Sequence, residues 1–99
     1  MIELCKLEGS PKQVAWGTEV RTNVIQTITL LNKQYSVHKP DRAQVIALGL
    51  ERLLSQEVQA SWWIDRRLFK PRAWEDEVKR LVSPEEANRI YLKTYGFLK

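Results

Sequence analysis

Apolar residues recur at spacings of three and four along most of this chain, a repeat that is typical of helices with one buried face. We predict a first helix over residues 10–36, after an N-terminal tail at residues 1–9. A capping box marks its start, because Ser10 and Gln13 can satisfy each other's backbone N–H groups. Its apolar stripe keeps to one face for about five turns and consists of Gly17, Val20, Val24, Ile28, Leu31 and Tyr35.

Pro40 interrupts the repeat and opens a second stripe, since proline is well tolerated in the first turn of a helix. Apolar residues return to the face of this stripe well beyond its middle, at Ala60, Ile64 and Leu68. We therefore predict one helix over residues 41–69, with a kink, if there is one, near residue 61.

Two further helices are predicted after the next proline. Pro71 ends the preceding helix and starts a third over residues 71–82. Ser83 begins another capping box, which starts a fourth helix over residues 83–96. A chain of 99 residues has room for one modest core. The predicted fold class is all-α, a small single-domain bundle of four or five helices.

Residues 18–24 also fit a strand, because Val and Thr alternate there with other polar residues. Under this alternative the protein is a dimeric ribbon-helix-helix DNA-binding transcriptional regulator, with "EVRTNV" as its strand and Arg21 and Asn23 reading bases in the major groove. The segment "DRAQVIALGLERLL" is similar to the second-helix pattern of that family. The longer helical stripe and the capping box at Ser10 favour the helix instead.

The chain offers little that catalysis or metal binding requires. With one histidine, His38, and one cysteine, Cys5, it cannot form a Cys/His zinc site or an internal disulfide. It has no glycine-rich phosphate loop, and no apolar run long enough to cross a bilayer. We therefore expect a cytoplasmic protein that is not an enzyme and that uses no cofactor and no metal.

Positive charge and aromatic rings concentrate in "WWIDRRLFKPRAW", residues 62–74, within a chain of net charge +4. Nucleic-acid binding needs rings that stack on bases and cations that meet phosphates. A four-residue spacing lets Arg66 lie over the ring of Trp62, and Arg67 over the ring of Trp63. The predicted macromolecule-binding residues are Lys12, Trp62, Arg66, Arg67, Lys70 and Arg72.

A structural interpretation competes with this one. The helices of a small bundle could meet at the same stretch, with Trp63 and Trp74 in the core, as tryptophans often are. On a helical wheel Trp62 points away from the core face, so we expect it to face outward.

Two blocks of the sequence carry a resemblance. "LEGSPKQVAW" and "ASWWIDRR" resemble an uncharacterised small domain of bacterial and phage proteins, with a pattern like L-x-G-S-x-K-Q-x-x-W-A-x-x-I-R followed by A-x-W-W-I-D-x-R. The resemblance spans roughly residues 7 to 67. Gly17 stands where the pattern usually has alanine, and Val20 where it has isoleucine. The resemblance implies a phage or mobile-element setting rather than a mechanism.

The recurrence of polar residues beside tryptophans in both blocks suggests that the blocks meet in space. An ion pair between Arg21 and Asp65 would then join the first two helices. We predict an internal structural clamp made of Trp16, Arg21, Trp63 and Asp65.

These observations favour a small non-enzymatic binding protein of phage or mobile-element type. Its basic and aromatic surface would bind nucleic acid, or a nucleic-acid-handling protein such as a host defence nuclease that it would inhibit. In the second case, acidic residues that also suit the N-terminal ends of helices could imitate phosphates: Glu75, Asp76, Glu77, Glu85 and Glu86.

Overall fold

The computed structural model describes residues 4–96, and it confirms the predicted fold class, a small all-α bundle. Residues 1–3 of the predicted tail lie outside the described residues. None of the described helices is long and apolar enough to span a membrane. The five helices are α1 (Pro11–His38), α2 (Pro40–Gln56), α3 (Ala60–Asp65), α4 (Pro71–Lys79) and α5 (Pro84–Tyr95).

The start of α1 follows the predicted capping box. The Ser10 hydroxyl accepts from the N–H of Gln13 at 3.2 Å, and the Gln13 side chain accepts from the N–H of Ser10 at 3.0 Å. The helix runs two residues beyond the predicted end at residue 36, to His38. Residues 19–24 lie inside it, so the strand that the ribbon-helix-helix alternative requires is not formed.

The prediction of one helix over residues 41–69, with any kink near residue 61, is wrong. Residues 57–59 separate α2 from α3, because this segment pairs with the N-terminal segment of the chain. The N–H of Glu8 donates to the carbonyl of Val58 at 2.7 Å, and the N–H of Ala60 donates to the carbonyl of Glu8 at 2.8 Å. These bonds take up backbone groups that a continuous helix would have bonded internally.

A side chain satisfies a further carbonyl at the break. The indole Nε1 of Trp63 donates to the carbonyl of Glu57 at 2.9 Å. Ala60 and Ile64 are buried as predicted, whereas Leu68 lies beyond the end of α3 and is 84% exposed. The stripe therefore stays in phase across the break, and periodicity alone cannot distinguish one helix from two.

The described part of the predicted N-terminal tail is packed against the bundle. The Leu7 side chain is only 3% exposed and belongs to the core. Gly9 has a φ of 148°, a backbone conformation that glycine adopts far more easily than other residues, and it turns the chain into α1. The tail prediction for residues 1–9 is wrong for residues 7–9.

The core lies where α1 packs against α2 and α3, with α4 against α2. Among the described helices, α5 packs against α2 only, and none of its residues is fully buried. Polar contacts hold it there, including the ion pair between Arg52 and Glu86. The α4 and α5 helices are shorter than the predicted ranges 71–82 and 83–96. The largest fully buried side chains are Ile28, Ile46, Leu53, Leu54, Trp63 and Val78.

The crossing of α2 and α4 depends on Gly49. A Cβ atom added there would lie 2.0 Å from the carbonyl oxygen of Val78, so the two helices would have to separate. We predict that Gly49→Ala lowers the free energy of unfolding by about 2 kcal/mol or more, as overpacked cores do. The control is Gly96→Ala, where nothing lies within 4 Å of the added atom. Denaturant unfolding of both variants checks this, and equal stabilities would contradict the close crossing.

Acid should weaken the attachment of α5 to α2. The hydrogen bond from Arg52, followed by the one from the N–H of Ser83, lowers the pKa of Glu86 to about 2. A glutamate in an unfolded chain has a pKa of about 4.3. The stabilisation that ionised Glu86 provides is therefore present above that pH and is lost as the pH falls toward about 2. We predict that Glu86→Gln reduces the loss of stability in this range. The control is Glu85→Gln. The free energy of unfolding is measured for both variants between about pH 2 and about pH 5, and the same dependence on pH in the two would contradict the prediction.

Candidate macromolecule-binding site

Three indole rings form one cluster where α3 meets α4. Trp63 is fully buried, as predicted, and stacks on Trp74 with ring centroids 5.8 Å apart. Trp62 meets Trp63 edge-on at 5.0 Å and lies 5.9 Å from Trp74. The predicted outward position of Trp62 is therefore wrong, because its ring is half-buried against the core.

The predicted contact between Arg66 and Trp62 is confirmed. The Arg66 guanidinium carbon lies 4.1 Å from the centroid of the Trp62 ring, and its Nη1 donates to the carbonyl of Trp62 at 3.0 Å. A ring covered by two indoles and a guanidinium has little face left for a ligand. Trp62, which we predicted to be a macromolecule-binding residue, is thus mainly a packing residue, with Arg66 as its cover.

Arg67 does not lie over Trp63 as predicted. Arg66 has left helical geometry, with φ −107° and ψ 12°, so the helical four-residue register no longer holds at the next residue, Arg67. The Arg67 guanidinium lies over the ring of Trp16 instead, 5.0 Å from its centroid, and its Nη1 donates to the carbonyl of Ile64 at 2.8 Å. This contact joins the first sequence block to the second.

The two blocks meet in space, as predicted, through backbone proximity. A Cβ atom at Gly17 would lie 3.0 Å from the backbone of Ala60, so α1 and α3 approach each other very closely. The backbone of Glu8 pairs with that of Ala60 in addition. The contact between the blocks thus depends on a small residue in each helix.

The predicted ion pair between Arg21 and Asp65 is wrong. Arg21 is 5% exposed, its Nη1 donates to the carbonyl of Cys5 at 2.6 Å, and its Nε has no hydrogen-bond partner among the described residues. Burial lowers the pKa of the Arg21 guanidinium, against the opposite effect of the nearby Cys5. Asp65 is exposed and forms no ion pair with any cation of residues 4–96. The positions of Arg21 and Asp65 on their helices could not show that the Asp65 carboxylate is exposed while the Arg21 guanidinium is buried.

A groove between α1 and the chain that follows α3 collects the exposed aromatic and apolar side chains of this region. We call it the aromatic groove; its volume is about 340 Å³, and Asn23 and Arg67 contribute to its lining. Trp16 is 48% exposed, Phe69 is 39% exposed and Leu68 is 84% exposed. Trp16 was predicted to be a clamp residue and Leu68 to lie on the buried stripe, whereas Phe69 was not singled out. The sequence signal for the exposure of Leu68 and Phe69 was Pro71, since the residue before a proline avoids helical geometry and the helix therefore ends before it.

The segment 66–72, "RRLFKPR", joins α3 to the first turn of α4, and we call it the basic loop. It holds four basic residues and no acid, so the remainder of the chain has twelve basic and twelve acidic residues. Lys70 and Arg72 are exposed, and neither forms an ion pair with a described carboxylate. The whole net charge of +4 therefore corresponds to this one loop. Lys12 is exposed in the first turn of α1 but does not line the aromatic groove.

The acidic residues considered as phosphate mimics are largely engaged by cations. Glu75 contacts Lys79, Glu77 contacts Arg80, and Glu86 contacts Arg52. Their charges are partly neutralised within the protein, which weakens them as a negative recognition surface.

Within residues 4–96, no group of three or more His, Cys, Asp and Glu side chains is placed to hold a metal ion. No protein-family model, curated protein or solved structure matches this chain. The functional argument therefore depends on the geometry of the basic loop and the aromatic groove.

The contact between the blocks should be sensitive at Gly17 and insensitive at Asp65. We predict that Asp65→Asn changes the free energy of unfolding by less than about 0.5 kcal/mol, because the carboxylate is exposed and unpaired. Gly17→Val should cost about 2 kcal/mol, because its side chain meets the Ala60 backbone. Thermal and denaturant unfolding measure both. If Asp65→Asn instead lowered the free energy of unfolding by about 3 kcal/mol, the prediction would be contradicted and an ion pair of Asp65 with Arg21 would be supported.

Proposed function

We propose that the protein is a non-enzymatic binding protein whose basic loop and aromatic groove contact single-stranded nucleic acid. The observation that carries the proposal is the placement of the basic loop, with four basic residues and no acid, beside exposed aromatic rings. Proteins that bind single strands combine a positive surface for phosphates with rings on which bases stack.

The exposed rings favour unpaired bases over a duplex. Trp16 and Phe69 both line the aromatic groove and keep a substantial part of their surface exposed. Inside a duplex the faces of each base are covered by its neighbours, so only an unpaired base offers a face to such rings. Arg67, stacked on Trp16, can meet a phosphate next to a base held there.

A protein partner is the second candidate, and Leu68 is the observation that favours it. An aliphatic side chain 84% exposed beside rings and cations suits the apolar centre of a protein interface. A nucleic-acid-handling protein, such as a host defence nuclease that the chain would inhibit, would supply such a surface. The resemblance to a phage and bacterial domain supports a mobile-element setting for either partner, and either would be met in the cytoplasm.

Tryptophan fluorescence provides the test. The protein is titrated with single-stranded and duplex oligonucleotides, as DNA and as RNA, at about 50 and about 200 mM salt. We expect salt-sensitive quenching by single strands. Trp16→Ala should weaken binding roughly 5- to 150-fold, corresponding to about 1–3 kcal/mol for one stacked base.

The matched control is Tyr91→Ala, which removes a similarly exposed ring from α5. For this variant we expect unchanged affinity. If Trp16→Ala and Tyr91→Ala lowered the affinity by the same factor, a specific site in the aromatic groove would be contradicted. If no oligonucleotide binds at the lower salt concentration, nucleic-acid binding is ruled out and the protein partner becomes the better candidate.

A further inference from the structure

A second groove lies farther along α1. We call it the cationic groove; its volume is about 470 Å³. Its lining includes Leu31 and Tyr35 of α1, Arg42 of α2, and Arg72 and Lys79 of α4. Its lining is mainly polar and charged, in contrast to the rings of the aromatic groove.

The two grooves follow the same face of α1. The aromatic groove contacts this helix at Trp16, Asn23 and Thr27, and the cationic groove continues at Leu31 and Tyr35. These positions are separated mostly by three or four residues or by multiples of them, the spacing of one helical face. Pro71 lines both grooves, so they adjoin at the start of α4. The α1 stretch from residue 16 to residue 35 is about 28 Å long, at 1.5 Å per residue.

The cations of the second groove are only partly neutralised. The Tyr35 hydroxyl donates to Glu75 at 2.6 Å, and Lys79 donates to the other oxygen of the same carboxylate at 3.3 Å. Burial acts to raise the pKa of Glu75, but these hydrogen bonds and the charges of Lys79 and Arg42 together hold it below its ordinary value. Glu75 is therefore ionised at neutral pH and offsets one cation.

Two arginines remain available in the cationic groove. Arg42 lies over the Tyr35 ring, 5.3 Å from its centroid, and Arg72 is exposed. Neither forms an ion pair with a carboxylate of the described residues. Asp76 is the other acid in the lining, which leaves this groove with an excess of one positive charge.

We infer that the two grooves form one track, which binds a continuous single strand of nucleic acid about four to eight nucleotides long. Unpaired bases occupy the aromatic groove at Trp16 and Phe69, and phosphates farther along the strand contact Arg72 and Arg42. The upper length follows from about 28 Å of helix divided by the 3.4 Å rise of a stacked strand. This inference rests on the proposed function and adds the form of the ligand and the course that it takes.

Charge complementarity and the order of side chains favour a nucleic-acid strand over an acidic peptide. The excess positive charge of the lining lies in the cationic groove, because Arg67 and Glu19 balance each other in the aromatic groove. The exposed rings of Trp16 and Phe69 lie in the aromatic groove. Every nucleotide of a nucleic-acid strand carries both a base and a phosphate. A strand of any base sequence can therefore place bases in the aromatic groove and phosphates in the cationic groove. A peptide would need an aromatic or aliphatic anchor and a separate acidic segment at a matching distance.

Oligonucleotide length distinguishes a track from a single local site. Oligothymidylates and oligouridylates of about four, eight and twelve nucleotides are titrated against the intact protein. We expect affinity to rise more than about tenfold from four to eight nucleotides, and to change little from eight to twelve, because the track is then filled.

Arg42→Gln tests the far end of the track. Losing one phosphate contact should weaken binding of the eight-nucleotide strand roughly five- to tenfold at about 50 mM salt and lower its salt slope by about 0.7. Binding of the four-nucleotide strand, held at the rings, should not change. Arg42→Lys should restore most of the affinity, and Arg89→Gln, on a groove between α2 and α5, is the control. Thermal unfolding of each variant verifies that the fold is intact.

The outcomes separate this inference from the proposed function. Equal affinity for four and twelve nucleotides, or an unchanged Arg42→Gln variant, would confine binding to the aromatic groove and overturn the track, while the proposed function would stand. Absence of binding to every strand would overturn both. Preference for a duplex of equal length would also contradict the track, since paired bases cannot reach the rings.

Discussion

The backbone pairing of Glu8 with Val58 and Ala60 is the constraint on which the rest of this structure depends. It ends α2 and restarts the chain as the short helix α3, which places Ala60 against Gly17 of α1. With α3 fixed at this point, Trp63 enters the core and bonds the carbonyl of Glu57. One pair of long-range hydrogen bonds therefore fixes where α3 begins and holds it against α1.

Where helices begin could be predicted from the sequence because the signals are local. The boxes at Ser10 and Ser83 and the prolines at 40 and 71 each lie within a turn of the helix that they start. The break at residues 57–59 had no local signal, since it depends on a segment about fifty residues earlier in the chain. A buried stripe records only which side faces the core, and this side is the same before and after the break.

The candidate site was predicted in composition but not in detail. The concentration of rings and cations in residues 62–74 is visible in the sequence, and Trp63 was correctly assigned to the core. Trp62 was expected to face outward and Trp16 to belong to an internal clamp, whereas Trp62 packs against the core and Trp16 is 48% exposed. A helical wheel of one helix cannot show the contact of Trp62 with the Trp74 ring of α4. The Arg21 interaction could not be foreseen, because its partner is a backbone carbonyl, which every residue carries.

Pro71 links the fold to the binding surface. The residue before a proline is pushed toward extended geometry, and Lys70 has a ψ of 162°. The chain after α3 therefore cannot continue as a helix into α4, although burying Leu68 on the earlier stripe would stabilise the fold by about 2 kcal/mol. The loop instead holds Leu68 and Phe69 at the surface between basic residues, while Pro71 itself lies where the two grooves adjoin. Exposure of this apolar pair thus follows from the same residue that starts α4.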